Sequence, residues 1–124
     1  MDHDLKAHDP RETMSGPPMF ETDDREASFW RLGSFDGGMA WVGRWRGTSP
    51  WERHDAGDEV LHVLEGEVEV TVLTDDEEVT TRVPAGSVFV VPRGRWHRQS
   101  SAGFVVQWGA TPGTTEHSDA DDPR

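Results

Sequence analysis

The side chains best able to do chemistry sit in two short stretches. One is Glu52-Arg53-His54-Asp55-Ala56-Gly57-Asp58-Glu59; the other ends on His97, just past a Pro92-Arg93-Gly94 turn. Along an extended strand, residues i and i+2 share a face. Glu52 and His54 therefore point one way and Trp51 and Arg53 the other, while a turn across Asp55 to Asp58 returns Glu59 to the first side. Neutral imidazoles and carboxylates converging in this way form a ligand set for a divalent transition metal, provided that His97 arrives from its own strand. If Glu52, His54, Glu59 and His97 all bind, the site is formally neutral and crowded. That favours Mn(II), Fe(II) or Ni(II) over a closed structural zinc, with Zn(II) as the alternative ion. If Glu52 stays off the ion, the other three form a two-His, one-carboxylate triad suited to non-haem Fe(II), and Glu52 becomes a catalytic general base beside it.

The spacing extends beyond the ligands. Gly47, Glu52-x-His54, Glu59 and Gly66 form one motif, and Gly86, Pro92-x-Gly94 and His97 form a second. Taken together, residues 40–108 resemble the cupin family, whose first motif carries His-x-His where this chain has Glu52-x-His54. After the second motif the family often has an Asn, and Ser101 stands there. The resemblance implies an antiparallel double-sheet jelly-roll barrel with a metal near one mouth and ligands at the four positions above. It also implies a homodimer. For function it implies a metal-dependent oxidoreductase of the dioxygenase kind acting on a small organic molecule, with isomerase or lyase chemistry also compatible. A non-catalytic cupin that binds a small ligand or metal as a sensor or storage module is the alternative.

The elements that must position these residues read as strands. Met39 to Arg46 alternates, with Trp41, Gly43 and Trp45 on one face and Val42, Arg44 and Arg46 on the other, which predicts a single interior face. Trp41 and Trp45, with Gln107 on the last strand, are candidate walls of a substrate pocket, and core packing is the competing reading for the tryptophans. Glu67 to Val72 alternates strictly, sending valines to the core and Glu67, Glu69 and Thr71 to solvent. With Glu59 inward, Leu61 and Val63 follow it and His62 points outward. Val88 to Val91 is wholly apolar and reads as a buried strand, and Phe104 to Trp108 supplies the last strand. Short strands, Gly/Pro turns and no convincing helix define an all-β class.

The flanks differ in composition. Residues 1–26 are polar and broken by Asp9-Pro10 and Gly16-Pro17-Pro18, so they read as a flexible arm in which His3 and His8 are surface histidines. The barrel is expected over 27–110, and 111–124 reads as a solvated tail whose Glu116 and His117 could close over the barrel mouth.

At 124 residues the chain suits one domain. A formal net charge of −12, from 24 acidic and 12 basic residues, sets it against nucleic acid and anionic membrane surfaces; a small-molecule substrate or ligand is the partner that the cupin resemblance implies. The absence of cysteine removes a disulfide framework and a thiol nucleophile. Residues 1–19 lack the basic-then-apolar pattern of a secretory leader, and no stretch has the roughly 18 apolar residues of a membrane helix, so the expected compartment is cytoplasmic.

Overall fold

In the computed structural model, residues 5–124 are described; His3 lies outside them. The chain runs through a short helix α1 (Pro10–Thr13) and ten strands: β1 (Phe20–Glu21), β2 (Ala27–Phe35), β3 (Gly38–Thr48), β4 (Trp51–Arg53), β5 (Glu59–Glu65), β6 (Glu67–Leu73), β7 (Glu78–Pro84), β8 (Val88–Val91), β9 (His97–Thr111) and β10 (Glu116–Ser118). The strand pairs of the described residues are antiparallel, as the alternating pattern predicts, and the curled sheet is the jelly-roll barrel that the resemblance implies.

The long strand β9 organises the barrel by changing neighbours along its length. Its first part pairs with β6, setting Val72 opposite His97 and Glu69 opposite Ser100. Its second part lies between β3 and β5, with Trp45 opposite Val105 on one side and Val63 opposite Gln107 on the other. Register shifts between Trp45 and Gly47 and between Val63 and Glu65 let the strand make this change, as bulges do when a sheet bends. Gly66, at φ +79, makes the tight β5–β6 connection, where an added Cβ would lie 2.8 Å from the Phe104 carbonyl oxygen.

Inward residues from these strands form one apolar cluster of Trp45, Leu61, Val63, Val68, Val70, Val72, Val83, Val91 and Val105. Each fully buried valine or leucine stabilises the fold by roughly 1.5–3 kcal/mol relative to exposure. The inward positions of Glu59, Leu61 and Val63 agree with the strand parity, and His62 on the opposite face accepts a hydrogen bond from Trp108 Nε1 at 2.9 Å.

Several local expectations change in three dimensions. Thr71 is buried rather than solvated: it stands between its cross-strand neighbours Thr80 on β7 and Arg98 on β9, and its hydroxyl pairs with that of Thr80 at 2.9 Å. Val88 and Val90 are 58% and 51% exposed rather than buried, so their face of β8 lies open, and among the described residues β8 pairs only with β5. Strand β3 is covered on both faces at Val42, which joins Trp30 and Val106 in a second cluster with Met14 and Trp108 packed against it.

Met14 belongs to the stretch expected to be a flexible arm, and that stretch is tied down at several points. Asp9 caps α1 through its side chain, Pro10 occupies the first turn, Trp30 Nε1 donates to the Gly16 carbonyl at 2.9 Å, and β1 pairs with β2. At the other end β10 pairs with β4. Both polar flanks thus contain structure that composition does not announce.

Candidate metal centre

Strand β4 points Glu52 and, just beyond its end, His54 into the barrel, and β5 opens on Glu59. The turns flanking the site are laced to one another: the Gly94 amide donates to the His54 carbonyl at 2.9 Å, the Arg93 amide to Asp58 Oδ1 at 2.8 Å, and Arg93 Nε to the Asp55 carbonyl at 2.6 Å. Gly94 takes φ +74, which a residue with a side chain rarely adopts. The consequence is that His97 enters β9 directly opposite Glu52.

His54, Glu59 and His97 are 3%, 3% and 2% exposed, while the Glu52 side chain keeps 30%. Glu59 Oε2 lies 3.2 Å from His54 Nε2, and Glu59 Oε1 lies 3.3 Å from His97 Nε2. Glu52 Oε2 stands 3.9 Å from His54 Nε2, and donor atoms of Glu52, His54 and His97 fit within 4.8 Å of one another. Donors bound cis at about 2.1 Å around an octahedral ion stand about 3 Å apart, close to these spacings.

The outer contacts orient the donors. His97 Nδ1 donates to the Arg95 carbonyl at 3.1 Å, leaving the Nε2 lone pair to face Glu59. Thr115 Oγ1 sits 3.0 Å from His54 Nδ1 and fixes that ring's orientation; with the hydroxyl accepting from Nδ1–H, the His54 Nε2 lone pair is free for a metal. Thr111 Oγ1 donates a short hydrogen bond to Glu59 Oε2 and itself accepts from Trp41 Nε1 at 2.9 Å. On the open side, the register of β10 sets His117 opposite Glu52, with Nε2 4.0 Å from Oε1.

A metal ion fits what is left unpaired. His54 Nε2 and Glu59 Oε1 are fully buried with no hydrogen-bond partner, a state that costs free energy unless something else satisfies the atoms. Trp51 Nε1 and Arg53 Nε are orphaned as well, but they lie on the other side of β4 and are donors. Only at the site do lone pairs converge, and a cation is the partner that convergent lone pairs accept.

Without an ion, the carboxylate and the imidazoles charge one another. Burial pushes the Glu59 carboxyl up, but the facing His54 and His97 imidazoles outweigh it and hold it at about 2. Burial likewise works to lower the His97 imidazole, and the adjacent Glu59 carboxylate overcomes it and raises the group above its usual range. Glu52 moves upward, first through burial and then through repulsion by Glu59.

Glu52, His54 and Glu59 line an open cavity of about 1260 Å³, and Trp41, Trp45 and Gln107 line it too. Sequence reasoning had no means of finding Thr111 and Thr115, since hydroxyls in a Thr/Pro/Gly-rich segment carry no periodic signal. His117 was legible only as an imidazole able to fold over the mouth.

The cupin-domain family profile matches residues 45–106, half of the chain, and the protein belongs to the cupin family. A germin-like protein of Arabidopsis thaliana, subfamily 2 member 2, is 41% identical over 58 residues, which cover 46% of this chain and 26% of the relative. The match thus spans about a quarter of that relative's length. Among solved structures, the hydroquinone 1,2-dioxygenase PnpCD, complexed with Cd2+ and 4-hydroxybenzonitrile, superposes with a TM-score of 0.59 at 21% identity, covering 68% of this chain and 63% of that one. A mutant of Bacillus subtilis oxalate decarboxylase gives 0.66 at 14% identity, covering 85% and 30%. At these identities the structures establish a shared fold.

Proposed function

We propose that this cupin is a metal-dependent enzyme that acts on a small organic molecule, with dioxygenase-like oxidation the favoured reaction. The carrying observation is the buried, unpartnered Nε2 of His54 and Oε1 of Glu59, the latter facing His97, on two residues that line an open cavity. His54, Glu59 and His97 would hold an Fe(II), Mn(II) or Ni(II) ion, with Zn(II) also compatible with the donors. Such an ion, when bound, supplies Lewis-acid or redox activation of a substrate that reaches it.

The chain's own residues supply the rest. Glu52 is the most exposed of the four and stands at the cavity edge, so its carboxylate is placed to take a proton from a substrate hydroxyl at Oε1 or Oε2. Its upward shift makes it a better base than an ordinary carboxylate. Trp41 and Trp45 exclude water from one wall, and Gln107, 1% exposed and fixed by Trp45 Nε1 at 2.8 Å, presents a rigid polar group. A second copy of the chain is placed against β8, supported by its unpaired edge and by exposed Val88 and Val90.

The test is turnover with reconstituted protein. Oxygen uptake and substrate loss would be followed across a panel of phenols, diols and hydroxy acids after loading with each ion, for wild type and Glu52→Gln. Metal-dependent turnover that falls about 100-fold or more in Glu52→Gln with metal retained supports the enzyme and the base. Metal bound without turnover of any compound would favour the sensor or storage reading.

A further inference from the structure

The cavity wall has a construction that metal binding does not explain. Phe20, 54% exposed at the rim, stacks on Phe29 with centroids 6.3 Å apart and planes 30° apart, and Phe29 meets the edge of Trp41 at 5.8 Å and 72°. Trp41 in turn donates to Thr111, the residue that holds Glu59. One aromatic track thus runs from the mouth to the metal-directed carboxylate.

Two glycines make room for it. A Cβ on Gly43 would lie 2.6 Å from the Phe29 ring, and a Cβ on Gly109 would lie 2.6 Å from the Trp41 ring. These bare backbone positions let both rings lie down against the strands. The polar ends of the tryptophans are also spent internally, Trp41 Nε1 on Thr111 and Trp45 Nε1 on Gln107, whose amide passes on to Gln99 at 2.9 Å. What this side offers a guest is ring surface.

The charge around it is one-sided. Asp24, Glu26, Glu52 and Glu59 all line the cavity, while Arg46 is the one Lys or Arg among the described lining residues, and Glu26 holds its guanidinium at two points. A ligand carboxylate would find acids and π-faces along the wall, and a metal whose charge Glu59 and Glu52 already offset.

From the aromatic track and the missing free cation we infer that the ligand is a flat aromatic molecule bearing a hydroxyl and no carboxylate, its ring on the Phe29–Trp41 wall and its hydroxyl toward the His54–Glu59–His97 end. This inference rests on the metal-centred reading for its hydroxyl end; the ring preference belongs to the wall alone.

Isothermal titration of the metal-loaded full-length chain would compare 2-naphthol, 6-hydroxy-2-naphthoate and oxalate. The naphthol should bind at least about tenfold tighter than its carboxylated counterpart, and oxalate more weakly than both. Trp41→Leu should weaken the naphthol about tenfold through the lost ring contact, and Glu26→Gln, at a partly exposed rim position, should narrow the gap by freeing Arg46. Equal or tighter binding of the carboxylated compound or of oxalate overturns the inference. So does unchanged naphthol affinity in a folded Trp41→Leu protein. Repeating the titration on chelator-treated protein separates the two readings. A naphthol preference that persists where no metal can be loaded leaves the aromatic wall standing and removes the metal enzyme, whereas a bound metal without the preference removes the wall alone.

Discussion

Two halves of the barrel interior are built on opposite principles. Along β5 the inward face passes from Glu59 to Leu61 to Val63, and around Leu61 and Val63 the space is filled by Val68, Val70, Val83 and Val105, with the polar atoms of neighbouring Gln107 and Trp45 paired to one another. At Glu59 the same strand faces two imidazoles, a second carboxylate and an open cavity, with buried lone pairs left unmatched. The apolar half stabilises the fold. The polar half draws on that stability, which is the usual signature of a site.

The contrast is broken most forcefully from the apolar side. Leu61→Ala should lower stability by about 2–5 kcal/mol in metal-free and metal-loaded protein alike, read by urea unfolding, because it opens a cavity in close-packed valines. A loss confined to the metal-loaded form would show that the core serves the site rather than the fold.

On the polar side, Thr115→Val should reduce metal affinity about 10- to 100-fold through the lost contact to His54 Nδ1, with metal-free stability little changed. Competition with a chromogenic chelator measures it. Equal affinity would remove the Thr115 contact from the site.

The pH response of metal-free protein sharpens the comparison further. Glu59 falls from 4.5 to about 2 in the folded state, so its stabilisation is complete above about 4.5 and is lost as pH drops toward 2. His97 moves the other way, rising above 6.5, so its contribution is complete below about 6.5 and is lost as pH climbs through the raised value. Wild type should therefore be most stabilised by this pair between about pH 4.5 and 6.5. Glu59→Gln should flatten both flanks in chelator-treated protein, and an unchanged profile would mean that the pair does not form.

The smallest effect belongs to the uncovered strand. Val90→Thr should shift monomer stability by no more than about 0.5 kcal/mol, since the side chain is half exposed. Light scattering on the same variant tests whether β8 holds a second copy together.

Much of the scaffold was legible because strand parity is a strong constraint. The inward set Glu59, Leu61 and Val63, the outward His62 and the turn delivering His97 all follow from period two and a Pro-x-Gly turn. What escaped the sequence depends on which elements lie beside and above each strand. Thr71 is buried between its cross-strand neighbours Thr80 and Arg98, Val88 and Val90 stay exposed on a strand that pairs only with β5 among the described residues, and Val42 is covered because the Met14 segment folds back. The four converging donors were readable as residue types at motif spacing. Thr111, Thr115 and the pairing of β10 with β4 were not, because a short polar strand has no amphipathic pattern and gains its place only from a partner already in position.

The central claim is that His54, Glu59 and His97 form a metal site with Glu52 beside it. Metal content of protein purified without added metal, followed by reconstitution, tests this directly in wild type, His97→Ala and Glu52→Ala. The account predicts close to one transition-metal ion per wild-type chain, loss of it in His97→Ala, and retention in Glu52→Ala where Glu52 serves as the base. A wild-type chain that carries no ion and takes up none on reconstitution would contradict it.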